Sequence, residues 1–320
     1  MGKKEIFLSS IVIAAFNNES TILACIESLS RQNLNDAQIT VVDDGSKDRT
    51  AEIAKRAGAE VISLATNHGS SYALNRGIDK AAGQYVFTLD ADAQVPPLMI
   101  PKAIEVLRGS GCDVVGGTYI ANSRGGRIGE LYELYRRVFH TPSKPTVYTG
   151  NQDPKVYGTF IGFRREALRD ERFDENLRAA YDRELLCRLA RKGYRILYSP
   201  EVYVYHPSPS SLSSIIRRVW TMGIWTSVVG KKYLGLIKNR LTLASLAVLM
   251  LGLAGFDYVI VLPTAIVAHY LMFVAVSLLQ KKVNIKFLQA LTVGALAVFI
   301  SMVDVTSLLG FLFSRPKHWK

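Results

Sequence analysis

The chain has 320 residues, 49% hydrophobic and 21% charged, with a formal net charge of +12, a pI near 9.6 and a mean hydropathy of +0.15. That length holds one large domain, or one domain with an appendage. Three scattered cysteines without C-x-x-C spacing exclude a disulfide framework and a zinc site, and there is no internal repeat or low-complexity tract.

Met1–Lys4 precede a brief apolar stretch, Ile6–Ala15, interrupted by Ser9 and Ser10 and lacking a small-residue cleavage site. No signal peptide is expected, and everything before Leu241 is expected on the cytoplasmic side. Ile11–Ala15 is a continuous apolar run, the pattern of a strand covered on both faces. NNES follows, where Asn18 or Ser20 can cap a helix over Thr21–Ser30. ITVVDD gives a second strand, GSKDRT leads into the helix TAEIAKRA, and VISLA is a third strand before the helix SYALNRGIDKAAG. YVFTLDAD is the fourth strand. Strands alternating with helices at this spacing predict βαβ units: an α/β, Rossmann-like, mostly parallel sheet with helices on both faces. Ligands of such sheets bind beyond the carboxyl ends of the strands. Polar groups gather there: Asn17 and Glu19, Asp43 and Asp44, Asn67, then Asp90 and Asp92.

The run YVFTLDADAQVPP sets two carboxylates, Asp90 and Asp92, at the end of an apolar strand. Like charges this close repel unless a cation lies between them. A solvated polar turn explains an isolated pair; a divalent cation with oxygen ligands, Mg²⁺ or Mn²⁺, explains a pair set in a wider acidic edge.

Further along, GTFIGFRREAL reads as a strand and turn, and AYDRELLCRLARKGYRI as a helix opening on acidic residues. RILYSPEVYVYH is a strand ending on His206, and SSIIRRVWTMGIW a basic, aromatic helix. From Leu241 the chain carries three long apolar runs without a polar stripe, the last two close to the roughly 20 residues a bilayer core requires. Three membrane helices over 241–313 are expected, with two spans and a re-entrant or interfacial helix as the alternative, and 314–320 as a tail. Residues 211–240 are expected to form amphipathic interfacial helices. Lys231, Lys232, Lys238 and Arg240 precede the first run and Lys281, Lys282 and Lys286 follow the second, placing both clusters on one side. The concentration of positive charge before these runs favours membrane lipid headgroups and phosphates over nucleic acid.

Four motifs in order, IVIAAFNNE, VVDDGSKDRT, NHGSSYALNRGI and TLDADAQVPP, resemble the nucleotide-binding half of glycosyltransferase family 2, and the likeness covers most of residues 8–225. The resemblance implies a GT-A fold over about residues 1–210, a nucleotide-diphosphate sugar donor, inversion at the sugar, and Mg²⁺ or Mn²⁺. Ala14 stands where proline is usual and Phe16 where tyrosine is common. By resemblance the donor is held by Ala15, Phe16, Asn17, Glu19, Asp43, Asn67, Gly69, Asn75, Asp90 and Ala91. Asp43 would contact the base and Phe16 stack on it. Phe16 taken alone reads equally as a core aromatic, and Glu19 as a helix-start carboxylate. The metal would be held by Asp90, Asp92 and Gln94. His206 is either a structural residue or a further ligand near the diphosphate. Asp182 occupies the place of the catalytic base, with Tyr181 where the family has glutamate; an N-cap aspartate is the alternative. Thr159, Arg164, Arg217, Arg218 and Trp220 would line the acceptor or the diphosphate. Val219 and the absent glutamine depart from the Q-x-x-R-W run of cellulose-synthase-like enzymes.

The expected function is an inverting, multi-pass membrane glycosyltransferase acting on a hydroxyl of a lipid-linked glycan. GDP-mannose is the favoured donor, because many enzymes of lipid-linked glycan assembly use it. A polyprenyl-phosphate sugar synthase is the alternative, and there is room for a homo-oligomer.

Overall fold

The apolar runs become the centre of a sheet. The computed structural model describes residues 8–32, 37–122 and 126–232, with residues 270, 271, 291, 295, 296 and 300. Eight strands, β1 (Ser9–Ala15), β2 (Ala37–Asp43), β3 (Glu60–Ser63), β4 (Tyr85–Asp90), β5 (Val114–Asn122), β6 (Thr146–Tyr148), β7 (Phe160–Arg164) and β8 (Ile196–Pro207), form one sheet in the order β3-β2-β1-β4-β7-β5-β8-β6. β3, β2, β1 and β4 are parallel, as are β5 and β8. β7 lies antiparallel to β4 and β5, and β6 antiparallel to β8.

The expectation of a mostly parallel sheet therefore holds for the first half and gives way to a mixed sheet in the second. An apolar run such as FIGFR has the same appearance in either direction; the connection decides which way it runs. Because β7 is reversed, its first residues rather than its last reach the carboxyl edge of β4: Leu89 faces Phe160 and Tyr85 faces Arg164.

The helices are α1 (Ile22–Ser30), α2 (Thr50–Arg56), α3 (Ser70–Lys80), α4 (Met99–Ser110), α5 (Gly126–Phe139), α6 (Tyr181–Arg191) and α7 (Leu212–Lys232). Successive strand side chains point to opposite faces, and β1 divides its residues accordingly. Ile11 and Ile13 join one buried cluster with Ile22, Ile26 and Leu29 of α1 and Ile100, Ile104 and Leu107 of α4. Val12 joins the other, with Leu74 and Ile78 of α3 and Leu185, Leu186 and Leu189 of α6. Helices thus cover both faces. The cap of α1 differs from expectation: no side chain caps it, and the Asn18 carbonyl accepts from the amides of Thr21 and Ile22.

The chain forms two compact units. One comprises Met1–Asn122 and Pro142–Pro207 and holds the whole sheet; the other comprises Ser123–Thr141 and Ser208–Lys320. α5 therefore belongs with the later residues, an assignment that sequence reading of a continuous 1–210 domain did not anticipate. Within the second unit Tyr135 of α5 packs with Ile215 and Val219 of α7 and with Ile300. Leu212, Ile216 and Trp220, at four-residue spacing, are exposed. Among the described residues no helix is long and apolar enough to cross a membrane. The runs expected to span lie almost wholly outside the described residues, as do residues 233–240 and the tail.

Candidate active site

Four loops leave the carboxyl ends of β1, β2, β3 and β4, and the first two are interlocked. The Asn17 amide donates to Ser46 Oγ at 2.9 Å, and Asn17 Oδ1 accepts from the Lys47 amide at 2.9 Å. The Asn18 amide donates to Thr50 Oγ1 at 2.8 Å, and Glu19 Oε2 accepts from the Arg49 amide at 3.2 Å. Glu19 therefore serves the start of α2 instead of its own helix. Asn17 is held at φ 54°, a left-handed conformation rarely adopted outside glycine and asparagine. Phe16 is 44% exposed, which removes the core-aromatic reading and leaves a free ring face.

Asp43 and Asp44 have separate positions. Asp43 is buried at the end of β2, its Oδ1 accepting from the Ser46 amide at 3.2 Å. Asp44, also buried, accepts from the amides of His68 at 2.8 Å and Gly69 at 2.7 Å, so it anchors the loop after β3 from below. Its own amide donates to the Ala15 carbonyl. These contacts bring Ala15, Phe16, Asn17, Glu19, Asp43, Asn67 and Gly69 to one edge.

Asp90 ends β4, with its amide donating to the Thr159 carbonyl at 3.1 Å. Gln94 pairs through its backbone with Tyr205, a reciprocal pair of 2.8 Å bonds that ties the loop after β4 to β8. That bridge puts His206 beside the acidic pair: Nε2 lies 3.2 Å from Asp92 Oδ1 and 3.9 Å from Asp90 Oδ2. His206 Nδ1 lies 2.7 Å from the Pro207 carbonyl oxygen. A carbonyl only accepts, so Nδ1 carries the proton, and a neutral ring presents the Nε2 lone pair to the two carboxylates. Two carboxylate oxygens and a lone pair, all within 4.8 Å of one another, repel unless the ring is protonated or a cation joins them. A ligating histidine commonly donates its other N–H to a carbonyl. The three side chains therefore fit a divalent cation. Tyr119 packs on the His206 ring at 5.1 Å between centroids.

Asp182 stands in the first turn of α6, after Ala180, which is held at φ 56°. Burial pushes its carboxyl above the ordinary range, while the amides of Arg183, Asp182 itself and Gly158 pull it back. Gly158 has to be glycine: a Cβ there would lie 2.2 Å from Asp182 Oδ2. Arg183, the next residue, is engaged elsewhere, in a two-pronged pair with Asp153 at 2.8 and 2.7 Å. Burial also raises the Tyr181 hydroxyl, followed by the charges of Asp90 and Asp182.

Two expected site residues lie elsewhere. Arg164 ends β7 opposite Tyr85, at the far end of β4 from Asp90, and donates to the carbonyls of Cys112 at 2.9 Å and Leu107 at 2.7 Å. The reversed direction of β7 carries it away. Asn75 is buried in the middle of α3 and spends its amide on Phe173 and Glu175. Arg217, Arg218 and Trp220 belong to α7 in the second unit. Sequence reading passed over Gly158, Tyr119 and Arg178; of these, only the glycine opening GTFIG carried a local signal.

The model for "Glycosyl transferase family 2" matches residues 10–172. A Bacillus subtilis (strain 168) protein named "Uncharacterized glycosyltransferase EpsJ" is 30% identical over 218 residues, covering 65% of this chain and 63% of that one. An undecaprenyl-phosphate 4-deoxy-4-formamido-L-arabinose transferase of Pectobacterium carotovorum subsp. carotovorum (strain PC1) is 38% identical over 116 residues, 33% of this chain and 35% of that one. The chain thus spans under two thirds of these relatives. Among solved structures, the mannosyltransferase PcManGT from Pyrobaculum calidifontis, in complex with GDP-Man and Mn²⁺, superposes with a TM-score of 0.63 at 18% identity over 96% of this chain and 88% of that one. That likeness gives the fold.

Proposed function

Because the chain belongs to glycosyl transferase family 2, we propose that it transfers a sugar, with inversion, from a nucleotide-diphosphate donor to a hydroxyl of a lipid-linked glycan. The observation that carries this reading is the presence, within one unit, of a half-buried carboxyl of raised pKa, Asp182, and the Asp90–Asp92–His206 group.

In this reading the loops after β1, β2 and β3 receive the nucleotide, with Phe16 offering its exposed ring to the base and Asp43 a carboxylate acceptor. Asp90, Asp92 and His206 would hold Mg²⁺ or Mn²⁺, with Gln94 adjoining. When bound, the cation supplies Lewis-acid stabilisation of the charge growing on the leaving diphosphate. A sugar hydroxyl is a poor nucleophile until it loses its proton, and Asp182 takes that proton as the new bond forms. A base of raised pKa is better matched to this work near neutral pH than an ordinary carboxylate. GDP-mannose is the donor we favour. A phosphate acceptor would have no need of a base, so the carboxyl of Asp182 at the start of α6 favours a glycan acceptor over a polyprenyl phosphate.

Transfer by Asp182→Asn separates the two acceptors. With a glycan hydroxyl it should fall by roughly 10²–10⁴-fold, the usual worth of general-base assistance, while nucleotide binding survives. A phosphate acceptor is already an anion and gains little from a base. Near-normal transfer by the variant, most directly with undecaprenyl phosphate as acceptor, would move the assignment to a polyprenyl-phosphate sugar synthase.

A further inference from the structure

The segment before α6 is stapled along α3. Ser71 Oγ donates to the Leu177 carbonyl at 2.7 Å, Asn75 brackets Phe173, and Arg172 pairs with Asp79 at 3.0 Å. These contacts fix where the chain delivers Arg178. Its guanidinium lies over Gly69, where a Cβ would approach Nη1 to 2.7 Å, and Nη1 donates to Asn67 Oδ1 at 3.2 Å. Gly69, at φ +101°, therefore leaves the space that the guanidinium occupies.

Arg178 is exposed, and among the described residues it has no carboxylate partner. Asp44, which anchors the same loop, gives its two oxygens to the His68 and Gly69 amides. An arginine placed only to hold the loop would be expected to take that carboxylate; this one spends a single donor on a neutral amide. Ser70, adjacent to Gly69, bonds the side chain of Tyr181, which senses Asp90 and Asp92. The cation thus stands over the loop after β3, at the same carboxyl edge of the sheet that carries Asp43 and Asp90.

We propose that Arg178 binds the diphosphate of the nucleotide-sugar donor, an assignment that rests on the donor reading above. A guanidinium presents five donors in a planar fork that suits phosphate oxygens. Held over Gly69, it supplies a positive group on an edge otherwise rich in carboxylates. Donor diphosphate would then be gripped from the α3 side as well as through the Asp90–Asp92–His206 group.

The test compares binding of GDP and UDP, with Mn²⁺, against binding of guanosine and uridine, using the full-length protein in detergent. Arg178→Gln should weaken the diphosphate by about 10- to 100-fold, the scale of a lost charged hydrogen bond, with the matching nucleoside changed less than about twofold. Arg178→Lys, which keeps charge but loses the fork, should fall between. Equal weakening of nucleotide and nucleoside would make Arg178 a loop support and overturn the proposal, as would unchanged diphosphate binding. If the parent protein bound neither GDP nor UDP, the donor reading itself would fail and the proposal with it.

Discussion

Asp182 and His206 are the residues whose chemistry depends most on their surroundings. Burial raises the Asp182 carboxyl, so as a base it should be lost to protonation at a higher pH than an exposed aspartate. The acid limb of the pH–rate profile should therefore lie above the ordinary carboxylate range and disappear in Asp182→Asn; a limb in the ordinary range would remove Asp182 from the role. The stability effect has the opposite sense. A raised folded-state value means that the protonated form favours the fold, and that contribution is lost as pH rises through the folded value. Asp182→Asn, neutral throughout, should melt no lower than the parent at neutral pH, as a thermal scan would show. For His206, the placement of Nε2 3.2 Å from Asp92 predicts that His206→Gln lowers Mn²⁺ affinity by about tenfold or more, since even outer-shell partners matter on that scale. Titration of Mn²⁺ by electron paramagnetic resonance measures it, and unchanged affinity would exclude His206 as a ligand.

Elements position the site through their ends. β8 brings His206 to the acidic pair only because Gln94 and Tyr205 form a bridge, and β7 brings Gly158 and Thr159 there because it runs backward. Asp44 has a comparable part for the loop after β3. Its carboxylate satisfies two amides in a buried place, and their loss leaves both unpaired. Asp44→Ala should cost roughly 1.5–3 kcal/mol and speed hydrogen exchange at the amides of residues 68 and 69. Retained protection of those amides would show that the loop holds its shape without Asp44. α6 is fixed differently: Glu184, fully buried, pairs with Arg188 at 2.9 Å, and Arg188 also pairs with Glu171. Breaking a buried pair by removing one partner is costly, so this cluster sets where the first turn of α6 delivers Asp182.

At the scale of the whole molecule, the sheet and all three members of the acidic group belong to one unit, and α5 with α7 to the other. The apolar runs after Leu241 lie almost wholly outside the described residues, and two of them are close to the length that a bilayer core requires. The full chain should stay with membranes through a high-salt wash and be released by detergent. Recovery in the salt wash would show that those runs do not anchor it.

The first four strands, their helices and the acidic edge were legible in the sequence, because buried parallel strands appear as continuous apolar runs and their polar ends mark the ligand edge. Asp90 and Asp92 could be named from a short motif, because neighbours in sequence are there also neighbours in space. The direction of β7, and with it the removal of Arg164 from the site, could not be read, since an apolar strand carries no sign of its polarity. Nor could the grouping of α5 with α7, which depends on contacts between segments far apart in the chain. His206 was ambiguous as a lone histidine and acquired a defined role only when a backbone bridge and the Pro207 carbonyl fixed its ring. Arg178 had no motif at all; its position comes from staples to α3 that are formed about a hundred residues away in sequence, and only tertiary structure brings those together.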